Sequence, residues 1–194
     1  MEKKYILTDD VIDFNSHTLH RIKAVRDFDC VKAGDLGGFI ESEKNLDHDG
    51  AAWVTGDARI FGDAVVSSAA VVTGAAVVSG DAVVTGAARI FGAAVVSGDA
   101  VVTGVAVVSG DARVSGVAFV TDSADFAVIS GFGRVFRTTT FFRCKDNLVR
   151  CQCGCFYGTV DEFRSKVRET HGSSKYAKEY LMIADLMELH FKED

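Results

Sequence analysis

The chain has 194 residues, 48% of them hydrophobic and 25% charged, enough to bury the core of one large domain or two small ones. Its net charge of −6 divides as −4 before Trp53, −4 from Trp53 to Gly133 and +2 beyond, which argues against general nucleic-acid binding. Proline is absent where about 5% is usual, so something regular must occupy much of the chain.

At the start, Lys3 and Lys4 are followed only by Tyr5, Ile6 and Leu7 before Thr8-Asp9-Asp10. That stretch is too short for the core of a secretory signal, and no run approaches membrane-spanning length. A soluble cytoplasmic protein with no membrane partner is expected. Residues 1–51 read as an N-terminal β cap, with a strand at Tyr5 to Leu7, a turn at Thr8-Asp9-Asp10, and strands near Val11 to Phe14 and Thr18 to Val25.

A six-residue repeat then dominates. An aliphatic residue recurs without a slip at Val54, Ile60, Val66, Val72, Val78, Val84, Ile90, Val96, Val102, Val108, Val114 and Val120. Alanine stands two residues before each, and glycine usually two after, as at Gly56, Gly62, Gly74 and Gly80. Alternate side chains of a strand share a face, so Ala and Val point inward while the residue between them points out, and glycine marks a corner. Three such strands close one triangular coil of eighteen residues, so residues 52–133 predict a mainly β fold, a parallel β-helix of about four coils.

Residues eighteen apart stack on successive coils. Val65, Val83, Val101 and Phe119 then form an outward apolar column without a charge, the expected homo-oligomer interface of a dimer or trimer. Arg59, Val77, Val95 and Arg113 form a second column, and Trp53, Val71, Arg89 and Val107 a third. At the corners Asp63, Asp81 and Asp99 form a carboxylate ladder, to be screened by nearby arginine and solvent or to face a cation or a basic partner.

From residue 134 to 194 the hexad phase is gone and a small ββαα module is expected. Thr139 to Cys155 reads as a hairpin turning at Asp146-Asn147. Thr159 with Glu162 fits a capping box opening a helix that Gly172 ends near His171. Ser173 or Ser174 caps a second helix with Tyr180, Leu181, Ala184, Met187 and Phe191 on one face.

Five cysteines without a secretory signal predict reduced thiols. Cys151, Cys153 and Cys155 alternate, and a two-residue turn would bring Cys144 to the same face, where four thiols could hold zinc. Structural zinc sites use paired C-x-x-C knuckles, whereas an i, i+2 spacing points ligands in parallel, so packing under the helices is favoured and no metal or other cofactor is expected. His171 reads as a helix-terminal cation. His17, His20 and His48 have no partner at a ligand-like spacing.

The Ala-x-Val-x-Gly-x unit resembles the hexapeptide-repeat family, whose folds are left-handed β-helices, often trimeric, so a left-handed parallel β-helix is what the resemblance implies here. The resemblance implies acyl-coenzyme A-dependent acyl transfer as the enzyme possibility, but those enzymes use a histidine on or beside the coils, and none lies between Gly50 and Arg134. The leader, from Leu19 through Gly34-Asp35-Leu36-Gly37-Gly38-Phe39-Ile40-Glu41, is similar to that of phage and prophage members, as is the tail from Gly154-Cys155-Phe156-Tyr157-Gly158 through Thr170-His171-Gly172 to Tyr180. The expectation is a protein with no catalytic residue, an oligomeric scaffold of phage type that binds a host protein, with counter-defence and phage structural roles as the alternatives for that partnership.

Overall fold

The computed structural model describes residues 2–192. Strands β1 (Tyr5–Phe14) and β2 (His17–Ala24) form an antiparallel hairpin, and β3 (Leu36–Ile40) pairs antiparallel with β2. Twelve two-residue strands follow, one every six residues, from β4 (Trp53–Val54) to β15 (Phe119–Val120). They stack in parallel as three sheets with Arg59, Val77, Val95 and Arg113 in register on one, Trp53, Val71, Arg89 and Val107 on the next, and Val65, Val83, Val101 and Phe119 on the third. The chain is a three-faced parallel β-solenoid, as the hexad phase predicts.

The reason lies in the interior. Every repeat alanine from Ala52 to Ala118, and the inward aliphatic residue of every hexad from Val54 to Val120, is fully buried. Side chains this small let three strands approach a common axis and pack to protein-interior density. Backbone bonds run from coil to coil, as from the Val65 amide to the Ala82 carbonyl at 2.9 Å and from the Val83 amide to the Ala100 carbonyl at 2.9 Å. The corner glycine is required at Gly74, which has φ +72°, and where a Cβ would sit 2.9 Å from the Gly92 carbonyl oxygen of the next coil. Ser68 alone fills this corner position with a side chain, at φ +62°, and its hydroxyl bonds that of Thr85 at 3.0 Å.

The leader does more than cap. Phe39 and Ile40 pair in parallel with Arg59 and Ile60, and Leu46 bridges Val66, so an incomplete coil precedes the first hexad and brings the total to about five. Twenty residues separate each of these pairs instead of eighteen, and the two additional residues lie between Leu46 and Val54. Thr8-Asp9-Asp10 is a register shift inside one continuous strand, not a turn. The reversal falls at Asn15-Ser16, both at positive φ, the geometry of a two-residue hairpin turn.

Lys4 and Tyr5 plug the open end. The Tyr5 hydroxyl donates to the Leu46 carbonyl at 2.7 Å, and its ring stacks on His48 at 4.3 Å. The Lys4 ammonium, fully buried, donates to the carbonyls of Ala52 at 2.9 Å and Asp49 at 3.3 Å. Desolvation pulls its pKa from 10.5 down to about 8. Between those values the unfolded chain binds a proton that the folded chain does not, so the Lys4 contribution to stability rises with pH through that window. Tyr5, held neutral by burial, acts in the opposite sense at higher pH, as do the buried thiols of Cys144 and Cys151. The test is therefore differential. Wild-type stability relative to Lys4→Met is expected to improve between pH 7.5 and 9.5 in urea titrations, and a difference independent of pH would mean that the ammonium is hydrated.

The solenoid phase ends at Val120. Asp122 caps a short 3₁₀ turn (Ser123–Asp125), and the chain leaves as β16 (Phe126–Ile129). This strand lies within the predicted 52–133 span but joins the C-terminal module, where it pairs antiparallel with β17 (Thr139–Arg143), followed by β18 (Val149–Cys153) and β19 (Phe156–Thr159). Helices α1 (Val160–His171) and α2 (Lys175–His190) complete it, so the module is ββββαα, two strands richer than expected. The predicted capping box is present, with the Thr159 amide donating to Glu162 Oε2 at 2.7 Å, and Ser174 caps α2.

β17 is buried on both sides. Phe141 points to the helices with Cys151, Phe163, Tyr180, Ala184 and Met187, while Phe142 joins the solenoid core with Ala118 and Val120. The Arg113 amide donates to Thr140 Oγ1 at 2.9 Å and the Lys145 amide to the Val117 carbonyl at 3.1 Å. The module thus closes the far end of the coils.

Candidate interaction surfaces

The two caps determine which faces stay open. Phe14, Leu19, Phe39 and Phe61 gather over the Arg59–Val77 face, and the Arg59 guanidinium lies 4.7 Å over the Phe14 ring. Phe28 and Tyr5 cover Trp53 edge-on, closing the top of its face. Val65, Val83 and Val101 are half-buried between their own neighbours, Phe119 is 41% exposed, and none of the four packs against a hydrophobic cluster among the described residues. Two residues on, Ser67, Thr85 and Thr103 follow these strands on the same side, with Ser67 donating to Thr85 at 3.0 Å. The face is flat, uncharged and about 15–20 Å tall at ordinary strand spacing.

Asp63, Asp81 and Asp99 are exposed on one corner. Each end of the ladder meets a lysine from a cap. Lys44 donates to Asp63 at 2.7 Å and lowers its pKa, and Lys145 donates to the Asp99 carbonyl at 2.7 Å. Of the three carboxylates only Asp63 is paired by these contacts, because the Lys145 bond goes to the Asp99 backbone.

The cysteines do not converge. The hairpin between β17 and β18 has a three-residue loop, Lys145-Asp146-Asn147, closed by the Asn147 amide on the Cys144 carbonyl at 2.9 Å, with Asn147 at φ +63°. Phe141 therefore pairs with Cys151, and Arg143 with Val149. A two-residue turn would have paired Cys144 with Val149 and put it on the face of Cys151, but the additional residue slips the register by one and turns it to the opposite side. Cys144 sits in the solenoid core, Cys151 and the half-buried Cys153 under the helices, and Cys155 on the exposed Gly154-Cys155 turn, so Cys144 is parted from the other three. No group of three or more metal-ligating side chains converges among the described residues. Elemental analysis of protein purified without chelator is expected to find no zinc, and one zinc per chain would overturn that.

Folding gives two histidines carboxylate partners that the sequence spacing did not suggest. His17 Nδ1 lies 3.0 Å from Glu41 Oε1, while Glu41 Oε2 accepts the Gly62 amide at 2.7 Å. His48 approaches Glu43 at 3.6 Å. Both contacts tie the N-terminal cap together, with His17 tilted against Phe61 at 4.7 Å and His48 stacked on Tyr5. The bonds from His17 and Gly62 hold the Glu41 pKa below its ordinary value, so this clamp stabilises the fold at neutral pH and is lost as acid titrates the carboxylate.

Sequence reasoning missed one surface. Met182, Leu186 and Leu189 lie at i, i+4 and i+7 on the outer side of α2 and are 72%, 55% and 69% exposed. The available signal was an excess: α2 also holds Leu181, Ile183 and Met187, more large apolar residues than one buried face takes.

No protein-family model matches the chain, and no curated protein matches it significantly. No helix among the described residues is long and apolar enough to cross a membrane.

Proposed function

We propose that the protein is a non-enzymatic scaffold that self-associates through the Val65–Val83–Val101–Phe119 face and offers its capped ends to a partner protein. The observation that carries this reading is the uncovered, uncharged sheet face. Among the three faces it has no arginine in its outward column, and among the described residues that column joins no hydrophobic cluster with the caps. A rigid solenoid suits a scaffold, because its interior is filled by alanine and valine and leaves its surfaces as the working parts. Flanks like those of phage proteins make a bacterial host protein the partner to seek, with inhibition of a host defence component as the role.

Multi-angle light scattering at tens of micromolar tests the first half. Two or three chains per particle are expected, and a single-chain mass would overturn the proposal. Acyl transfer is the rival chemistry, and saturable binding of acetyl-coenzyme A would favour it over the scaffold.

A further inference from the structure

The terminal module holds a cavity of about 330 Å³ between the segment before β17, the β18–β19 turn and the C-terminal half of α1. Phe156, Phe163, Val167 and Tyr180 give it apolar walls, and Arg134, Arg137, Lys166 and His171 stand around it. No carboxylate lines it among the described residues. Lys166 is shared with Glu169 at 2.9 Å, whereas Arg134 and Arg137 form no ion pair with a described residue.

The walls are held in place. The Gly133 amide donates to Glu179 Oε2 at 3.0 Å, the Tyr180 hydroxyl donates to the Phe132 carbonyl at 3.4 Å, and the His171 ring stacks on Tyr180 at 5.8 Å. Glycine at 154 leaves room for the Arg137 guanidinium, whose Nη1 would collide with a Cβ there. Two guanidinium groups without acidic partners beside aromatic walls match a planar organic anion, with the ring against the aromatics and the phosphate on the planar donor forks. The volume lies at the small end of ligand pockets and suits one nucleotide unit.

We propose that this cavity binds a nucleoside monophosphate, with Arg134 and Arg137 taking the phosphate and the half-buried Phe156 ring taking the base. The site lies within a single chain, so it stands or falls independently of self-association.

Calorimetric titration of the full chain with AMP, UMP, adenosine and inorganic phosphate tests it. A nucleotide is expected to bind saturably and at least tenfold more tightly than adenosine or phosphate. Arg134→Glu with Arg137→Glu should weaken it at least tenfold without changing the far-ultraviolet circular dichroism. A second readout needs no variant: bound nucleotide should slow maleimide modification of Cys155, which lines the cavity, and leave exposed Cys30 unaffected. Absence of saturable binding by either nucleotide, phosphate binding as tightly as nucleotide, or unchanged Cys155 reactivity at saturation would each overturn the assignment.

Discussion

Ala100→Leu is expected to lower the thermal midpoint by about 2–12 °C, and Ala82→Leu with Ala100→Leu to abolish the cooperative fold. Both alanines are fully buried, and they occupy successive coils of one sheet, joined by the bond from the Val83 amide to the Ala100 carbonyl. Overpacking a filled core typically costs about 1–3 kcal/mol, and for a chain of this length each kcal/mol moves the midpoint by about 2–4 °C. In a solenoid the cost exceeds the local clash, since a leucine that reaches past the axis forces apart strands whose hydrogen bonds all run between coils. Adjacent substitutions share that distortion and need not add linearly. Ala75→Leu is the control: Ala75 occupies an exposed corner, and its replacement should stay within about 0.5 kcal/mol of wild type. Equal midpoints for Ala100→Leu and Ala75→Leu would mean that the coil interior yields.

Val83→Asp together with Val101→Asp is expected to reduce the particle to single chains while the coils survive. Each valine is half-buried in the isolated chain and has side-chain surface left to bury against a second copy. Full burial of one valine contributes up to about 1.5–3 kcal/mol, and 1.4 kcal/mol is a factor of ten in affinity. Aspartate adds the cost of desolvating charge on the face whose defining property is having none. The folded chain tolerates the change because these side chains point away from the alanine–valine interior. Light scattering reads the mass, and circular dichroism shows whether the β signal persists. A double variant that keeps the wild-type mass would place the contact elsewhere, with the Met182–Leu186–Leu189 stripe as the next surface to mutate.

The solenoid was legible because its rule is local and repeated. One pattern, alanine and an aliphatic residue two apart with glycine at the corner, determines strand, inward face and turn in six residues, and twelve copies leave no competing phase. The eighteen-residue columns followed from it and stand in register across all three faces. Helix ends were equally readable, since Thr159, Glu162, Gly172 and Ser174 act on backbone groups within four residues of themselves.

What the sequence alone left open depends on contacts between distant segments. The solenoid hexads say nothing of which faces the caps cover, and only packing of Phe14 and Phe39 over Arg59, beside a bare Val83, singles out one column. Cys144 went to the opposite face because a single residue in the hairpin loop decides register, and loop length is decided by whether Asn147 takes a left-handed conformation. The carboxylate partners of His17 and His48, the lysines at both ends of the aspartate ladder, and the cavity around Arg137 all join side chains that the sequence separates. The repeat determined the scaffold, because its information is periodic. The surfaces were decided by tertiary structure, because each is an encounter between the solenoid, or the terminal module, and a segment whose route no local pattern prescribes.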